Sequence, residues 1–340
     1  MFRYRVMAVR ALVLLPALVV CTWSGANGQP QDAKNPHPKQ GSGIVIELDN
    51  AFIEKYMDRA TMETDFRPVA FSAVHPAKND GEIHVAGFAD EAKLPTVAEV
   101  MNAAGGKAGE PAAKALRAAA NDRATVHVIG AWRLWCEHPG TTNQLQGEPF
   151  DLPQPGAAPS NPDHVFEIHP VLSVKAGARV VDASDAIAPT PGFDPHDAQK
   201  AFQLGYENVP CKIVPLGNRT RIITKGVGFN FTDFQIRLLQ DPVAINDGHL
   251  VLASVHDTDG ELLVRRRRMV FIKGTDADEQ VRALKAGGRL RVTGIPRISL
   301  KLVHWRVDHK DDPGYDESPL LWDLPYEMII VSAGAAGADD

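Results

Sequence analysis

Residues 125–135 read TVHVIGAWRLW, and residues 289–299 read RLRVTGIPRIS. The two stretches share the pattern V-x-G-x-x-R, formed by Val128, Gly130 and Arg133 in the first and by Val292, Gly294 and Arg297 in the second. Alternating apolar residues around a glycine are typical of a half-buried strand with a local bend. The repeat therefore predicts two related β modules in one chain.

Each of these strands follows an earlier strand and a helix-forming insert. In the first half the insert spans residues 95–120, where a T-x-x-E capping pattern at Thr96 predicts one helix and Pro111 opens an alanine-rich second one. In the second half a capped helix is predicted from Thr275 to Ala286. The same order of elements in both halves supports the interpretation as a repeat.

Strands that coil around a glycine-marked bend and are interrupted by a helix resemble the five-stranded Greek-key barrel called the OB-fold. The resemblance covers residues 71–174 and 221–331. An antiparallel sandwich is the alternative architecture. The predicted fold class is mainly β with a few inserted helices, as two OB-like barrels or a sandwich. The first module spans residues 41–190, and the second spans residues 191–340 with a short flexible C-terminal tail.

The first 29 residues have the layout of a cleavable signal peptide. Three arginines precede an apolar core from Ala11 to Val20, and small residues follow at positions 24–28. This core is shorter than the roughly 20 residues that a spanning helix needs. Cys21 is a candidate lipoprotein anchor, but Val20 occupies a position where such signals have a small residue. We expect an exported protein, periplasmic or secreted, with a disordered lead over residues 30–40.

Charge and hydropathy narrow the range of partners. The signal segment holds three arginines and no acids, so its removal takes the formal net charge from −6 to −9. General nucleic-acid binders are usually basic, so no nucleic acid is expected as a partner. No segment after residue 29 approaches roughly 18 uninterrupted apolar residues, so no membrane span is expected after signal removal.

Two cysteines, Cys136 and Cys211, remain after the signal segment. In an oxidising compartment a single disulfide between them is one expectation. The other is two buried, unpaired thiols. Sequence does not show whether the two residues approach each other.

Glutamate and histidine are concentrated in two segments that end in proline, residues 132–139 (WRLWCEHP) and residues 164–170 (HVFEIHP). If these strands pair, their polar groups converge at one rim of the first module. Imidazole and carboxylate groups suit zinc or a similar ion. The candidate ligands of one divalent metal are His84, Glu137, His138, His164, Glu167 and His169.

Strand geometry argues against part of this set. Glu167 and His169 share one strand face, whereas His164 lies three residues from Glu167 and points to the other face unless the strand bulges. The chain has no H-E-x-x-H motif. The alternative is that these groups satisfy backbone atoms or Arg133 where the strands end.

An aromatic platform is the second candidate site. Trp132 and Trp135 lie three positions apart and flank Arg133, so they could offer an exposed binding surface. The alternative for them is core packing. The segment around Glu167 also resembles the F/W-E-I-H-P-V segments of uncharacterised exported bacterial proteins, a resemblance that implies no activity.

Two functional hypotheses follow from these sites. The first is a non-catalytic exported protein that binds a small ligand or polymer at its loop-rich rim and has no cofactor. The alternative is a metal-assisted hydrolase, in which one divalent metal bound by the Glu/His cluster activates a water molecule. The alternative requires at least three of the candidate ligands to share one ion.

Overall fold

The computed structural model describes residues 43–104, 109–140, 143–149, 159–312 and 319–336. The expected signal peptide (1–29), the lead (30–40) and the last four residues of the C-terminal tail lie outside them. The described residues belong to one compact unit. They are mainly β-strands joined by a few helices.

The strands in the first half of the chain are β1 (Ile44–Asp49), β2 (Thr61–Phe71), β3 (Ile83–Ala89), β4 (Leu94–Val100), β5 (Val126–Leu134), β6 (Gln144–Leu145), β7 (Phe166–Ala176) and β8 (Arg179–Asp182). Those that follow are β9 (His196–Asp197), β10 (Pro210–Leu216), β11 (Arg219–Thr224), β12 (Thr232–Leu238), β13 (Val243–Ile245), β14 (Gly248–His256), β15 (Leu262–Ile272), β16 (Arg289–Ile298), β17 (Leu321–Asp323) and β18 (Tyr326–Ala335). The α-helices are α1 (Asn50–Tyr56), α2 (Gly109–Asp122), α3 (Asp276–Arg282) and α4 (Leu300–Asp308), and a π-helical turn spans Lys200–Gly205.

Strands β2, β3, β4, β5 and β7 close into the first five-stranded barrel. β3 pairs antiparallel with both β2 and β4, and α2 then leads the chain to β5. β5 pairs with β2 and with β7. β7 runs parallel to β4, and this pairing closes the barrel.

Strands β12, β14, β15, β16 and β18 repeat the same arrangement in the second barrel. α3 occupies the place of α2, between the third and fourth strands, and β18 runs parallel to β15 to close the barrel. This strand order and helix position are those of the OB-fold. The prediction of two OB-like β modules is therefore confirmed, and the architecture is the barrel rather than the sandwich.

The repeated glycine marks a bend in the fourth strand of each barrel. The register of β5 against β7 shifts on both sides of Gly130, and the register of β16 against β18 shifts at Gly294. A Cβ atom at Gly130 would lie 2.3 Å from the Cγ2 atom of Ile168 and 2.7 Å from the Pro170 carbonyl oxygen. Only glycine allows this close approach, which lets β5 coil around its neighbour.

The repeated arginine joins the two barrels through reciprocal contacts. Arg133 Nε donates to the Pro296 carbonyl oxygen at 2.9 Å, and Arg297 Nη1 donates to the Trp132 carbonyl oxygen at 3.1 Å. Trp132 and Pro296 are the residues immediately before the two arginines, so the contacts are equivalent and reciprocal. Within its own barrel each arginine is bound by a glutamate of the fifth strand, Glu167 or Glu327.

A third sheet lies outside the barrels. Its strand order is β17-β10-β11-β1-β6, and β1 pairs antiparallel with β11 along its whole length. α1 follows β1 directly and buries Phe52, Ile53 and Tyr56. The sheet therefore joins the first described strand to strands from the second half of the sequence.

Cys136 and Cys211 are both buried free thiols in the structure. Burial raises the pKa of the Cys136 thiol, and it raises the pKa of Cys211 to about 12. Each residue therefore behaves as a small buried side chain. Within the described ranges, no helix combines the length and apolar character that a membrane crossing requires.

Candidate metal centre

A cluster of buried histidines and carboxylates lies at one end of the first barrel. Register explains the convergence, since His84 of β3 pairs with Glu99 of β4, and Arg133 of β5 pairs with Glu167 of β7. β7 also runs parallel to β4, which brings His169 beside Glu99. Four neighbouring strands therefore direct their polar residues to one place.

His164 has a fixed ring orientation. Its Nδ1 atom lies 2.7 Å from the Pro162 carbonyl oxygen, which can only accept, so Nδ1 carries the proton. Its Nε2 atom lies 3.3 Å from Glu167 Oε1 but has no hydrogen-bond partner, because the carboxylate is off the direction of a hydrogen bond. Burial lowers the pKa of His164, but Glu167 outweighs it and raises the pKa above its ordinary value. Nε2 therefore faces the carboxylates either with a proton or, in the neutral ring, with its lone pair.

His169 lies on β7 between carboxylates. Its Nε2 atom lies 3.1 Å from Glu82 Oε1, within hydrogen-bond distance. Its Nδ1 atom lies 2.9 Å from Glu99 Oε2 and 3.4 Å from Glu167 Oε2, again without hydrogen-bond geometry. His164 is thus held by a backbone carbonyl, whereas His169 has carboxylates on both sides, Glu82 at Nε2 and Glu99 and Glu167 at Nδ1. Metal-bound histidines are held in the same way.

The cluster has an excess of buried negative charge. Glu82, Glu99 and Glu167 share the site with a single guanidinium, that of Arg133, and none of the four side chains is more than 4% exposed. With neutral imidazoles and all three carboxyl groups ionised, two negative charges in the interior would be uncompensated, which is costly. One divalent cation, or two protonated histidines, would balance them.

The pKa shifts follow from burial and from these neighbours. Burial raises the pKa of the Glu82 carboxyl to about 7. Burial also disfavours the ionised form of Glu99, but His84 and His169 outweigh it and lower the pKa of Glu99 to about 2. Desolvation would lower the pKa of His169, yet Glu99 and Glu82 raise it well above its ordinary value. The carboxylates therefore favour a positive charge between them.

Three groups of side chains are close enough to hold an ion, with ligand atoms within 4.8 Å of one another. They are Glu99, His164 and Glu167; Glu82, Glu99 and His169; and His75, Asp80 and His84. The first two groups share Glu99 and form what we call the inner site. We call the third group the outer site. Its His84 pairs with Glu99 of the inner site.

Three of the six ligands suggested by the sequence, His164, Glu167 and His169, belong to the inner-site groups, and His84 belongs to the outer site. His164 comes two residues before β7 begins, so the alternation of faces along a strand does not apply to it. The other two candidates lie beside the inner site. Glu137 pairs with Arg133 at 3.3 Å, and the ring of His138 stacks on that of His164 with centroids 5.5 Å apart.

Sequence reasoning missed Glu82, Glu99, His75 and Asp80. Glu82 lies two residues before His84 in the sequence, but nothing local relates it to His169, which is 87 residues away. Glu99 lay in a segment predicted to be a helix. Only the pairing of β4 with β7 reveals that these residues converge.

The aromatic platform suggested by the sequence does not form, because Trp132, Arg133 and Trp135 are all completely buried. The Trp132 indole N–H donates to the Arg59 carbonyl oxygen at 2.9 Å. The Trp135 ring meets the ring of Tyr206 edge-on, with centroids 5.7 Å apart. These residues pack the interior, which was the alternative interpretation of the pattern.

Comparison with known proteins suggests no function for this chain. No protein-family model matches the chain, and no curated protein matches it significantly.

Proposed function

We propose that this chain is an exported, non-catalytic protein that binds a divalent cation of the zinc type at the inner site. The ligands are Glu99, His164 and Glu167, whose ligand atoms lie within 4.8 Å of one another. Export is supported by the signal-like pattern of residues 1–29. The cation is the ligand bound by the first module.

The observation that carries the proposal is the orientation of His164. The Pro162 carbonyl fixes the proton on Nδ1, and the opposite nitrogen is buried, without a hydrogen-bond partner, beside Glu167. A neutral imidazole facing a carboxylate is repulsive unless a positive charge lies between them. Burial lowers the pKa of His164, but Glu167 outweighs it and raises the pKa, so without metal a proton takes this place, and we propose that a divalent ion displaces it. A single divalent ion would neutralise the buried charge.

Burial favours a non-catalytic role. His164 and His169 are fully buried, and Glu167 is 1% exposed. Metal ions that stabilise a structure sit in closed sites, whereas catalytic ions keep a position open for water and substrate. The inner site is of the closed type.

The test is the metal content of the purified protein after chelation and reloading with Zn²⁺. His164→Ala should bind one zinc ion fewer per chain, and Glu99→Gln should weaken zinc binding at the inner site by at least about 100-fold. His249→Ala is the matched control, because His249 also pairs with a buried carboxylate, that of Asp278 at 2.6 Å. A folded His164→Ala variant that retains the wild-type zinc content would contradict the proposal.

A metal-assisted hydrolase is the second candidate, and a specific observation favours it. His138 and Glu137 are 24% and 15% exposed, and the ring of His138 stacks on that of His164, so partly exposed polar groups lie beside the inner site. The test is turnover of chromogenic ester and phosphodiester substrates by the zinc-bound protein. Activity that is lost in a His138→Ala variant with full metal content would favour the hydrolase. No turnover at full metal content would leave the non-catalytic role.

A further inference from the structure

The outer site combines two imidazoles and one carboxylate from two adjoining segments. His75 Nδ1 lies 2.8 Å from Asp80 Oδ1, and the rings of His75 and His84 meet nearly edge-on with centroids 4.5 Å apart. All three residues offer a ligand atom within 4.8 Å of the other two. Two histidines with one carboxylate is a ligand set that leaves positions open on a divalent transition-metal ion.

The backbone around Asp80 holds this geometry. The Asp80 carboxylate accepts a hydrogen bond from the Glu82 amide at 3.0 Å, and the Asp80 carbonyl accepts one from Thr190 Oγ1. Gly81 has a φ of 69°, and a Cβ atom there would lie 2.4 Å from Thr190 Oγ1. Glycine is therefore required at this turn, and the turn holds the carboxylate in a single position.

Backbone pairing places the two histidines next to each other. The His75 amide donates to the Glu82 carbonyl at 2.8 Å, and the Ser72 amide donates to the His84 carbonyl at 2.9 Å. These bonds extend the β2–β3 hairpin beyond β2. They bring residue 75 alongside the start of β3, where His84 lies.

The distances suit a metal ion as well as a hydrogen bond. Zinc–nitrogen and zinc–oxygen bonds of about 2.1 Å place neighbouring ligands about 3 to 3.4 Å apart. The 2.8 Å between His75 Nδ1 and Asp80 Oδ1 is close to that separation. An ion at this position would replace the proton that the two side chains share.

The outer site differs from the inner site in its access to solvent. The side chain of His75 is 19% exposed, whereas the Asp80 carboxylate is fully buried beneath it. An ion held here keeps one side toward water. It can therefore exchange with the medium more readily than an ion at the inner site.

We infer that His75, Asp80 and His84 form a second, solvent-facing site for a divalent transition-metal ion. This inference goes beyond the proposed function, because none of the three is a ligand at the inner site. The two sites adjoin where His84 Nε2 approaches Glu99 Oε1 at 3.6 Å and where the Glu82 amide donates to Asp80. The full chain then binds two ions, of which the outer one exchanges first.

The experiment measures bound Co²⁺ and Zn²⁺ per chain in wild type, His75→Ala, His164→Ala and the double variant. We expect two ions, one, one and none. In wild type a chelator should remove one ion rapidly, and that fast fraction should be missing from His75→Ala. The d–d absorption of bound Co²⁺ in His164→Ala should be weak, as is typical of an ion with more than four ligands. Asp80→Asn, which keeps the size of the side chain, provides a second variant should His75→Ala fold poorly.

The matched control is His127→Ala. His127 is a partly exposed histidine 3.2 Å from Asp65 Oδ1 and 3.9 Å from Glu63 Oε2, and it belongs to none of the three groups. Its removal should leave the ion count unchanged.

The outcomes separate the two proposals. One ion in both wild type and His75→Ala, lost only in His164→Ala, would overturn the outer site and leave the inner one. One ion lost only in His75→Ala would overturn the inner site and support the outer one. No ion in wild type would overturn both.

Discussion

Asp247, in the turn between β13 and β14, accepts hydrogen bonds from several donors near the start of β2. The amides of Ala60 and Thr61 donate at 3.1 and 2.9 Å, and Arg59 Nε donates at 3.0 Å. Burial alone would raise the pKa of the Asp247 carboxyl, but the Thr61 and Ala60 amides and Arg59 outweigh it and hold the pKa below its usual value. One ionised side chain therefore ties the second barrel to the first strand of the first barrel.

Asp247→Ala should lower the free energy of unfolding by about 2–3 kcal/mol at pH 7, because it leaves buried amides without an acceptor and removes a favourable charge. Since the folded-state pKa is depressed, the contribution of the charge is complete above the unfolded-state pKa of about 3.9 and is lost as pH falls through the folded-state pKa. Urea unfolding at pH 7 and pH 3 should show the difference from wild type shrinking in acid. The exposed Asp259→Ala is the control, and an equal loss at both pH values would exclude a role for the charge.

β4 shows where reasoning from local sequence fails. Thr96 and Glu99 have capping-box spacing, and apolar residues follow at helical intervals, so a helix was predicted from residue 95. That prediction was wrong, because the segment is a strand that lies between β3 and β7. A strand buried on both faces shows no alternation of apolar and polar residues, and β4 is buried along almost its whole length. Because of this error, Glu99 was not among the predicted metal ligands, although both inner-site groups contain it.

Other elements were predictable because their signals are local. The glycine of the repeated pattern marks a bend in both barrels, and α2 begins close to the predicted position at Pro111. The closing parallel pairs β4–β7 and β15–β18 join segments far apart in sequence. No local pattern encodes such a pairing, so the sequence left open both the choice between barrel and sandwich and the full set of candidate ligands.

Gly130→Ala tests the bend in β5. The added Cβ would clash with Ile168 and with the Pro170 backbone, so we expect a loss of at least about 2 kcal/mol in the free energy of unfolding. Gly334→Ala is the matched control, because Gly334 also lies in a barrel strand, but a Cβ atom added there would meet no atom within 4 Å. Denaturant unfolding of both variants gives the comparison. Equal free energies of unfolding for the two variants would show that β7 shifts to accommodate the added methyl group without a loss of stability.

The two barrels share a hydrophobic core in addition to the repeated V-x-G-x-x-R pattern. A single cluster of buried apolar residues includes Trp132 of the first barrel and Met328 of the second. The Arg133 and Arg297 contacts cross the same boundary in opposite directions. Because apolar packing and buried polar bonds both cross this boundary, we expect the barrels to unfold together in a single transition.

Arg297→Met tests this coupling. The guanidinium lies 3.5 Å from the centre of the Trp132 ring, and it donates to carbonyl oxygens of the first module as well as to Glu327 at 2.7 Å. Its removal leaves part of the buried Glu327 charge uncompensated and should cost about 3–5 kcal/mol.

Tryptophan fluorescence includes the signal of Trp132 at the boundary, and replacing Trp305 and Trp322 with Phe in all proteins compared removes the emission of that distant pair. Circular dichroism reports the strands of both barrels. In Arg297→Met we expect the fluorescence transition to precede the circular dichroism transition, whereas in wild type the two coincide. Arg291→Met is the control on the same strand. The Arg291 side chain is 55% exposed, so its ion pair with Asp233 should contribute less than about 1 kcal/mol to the free energy of unfolding. If both variants unfold in coincident transitions with equal midpoints, the arginine contacts do not couple the barrels, and the shared apolar cluster alone joins them.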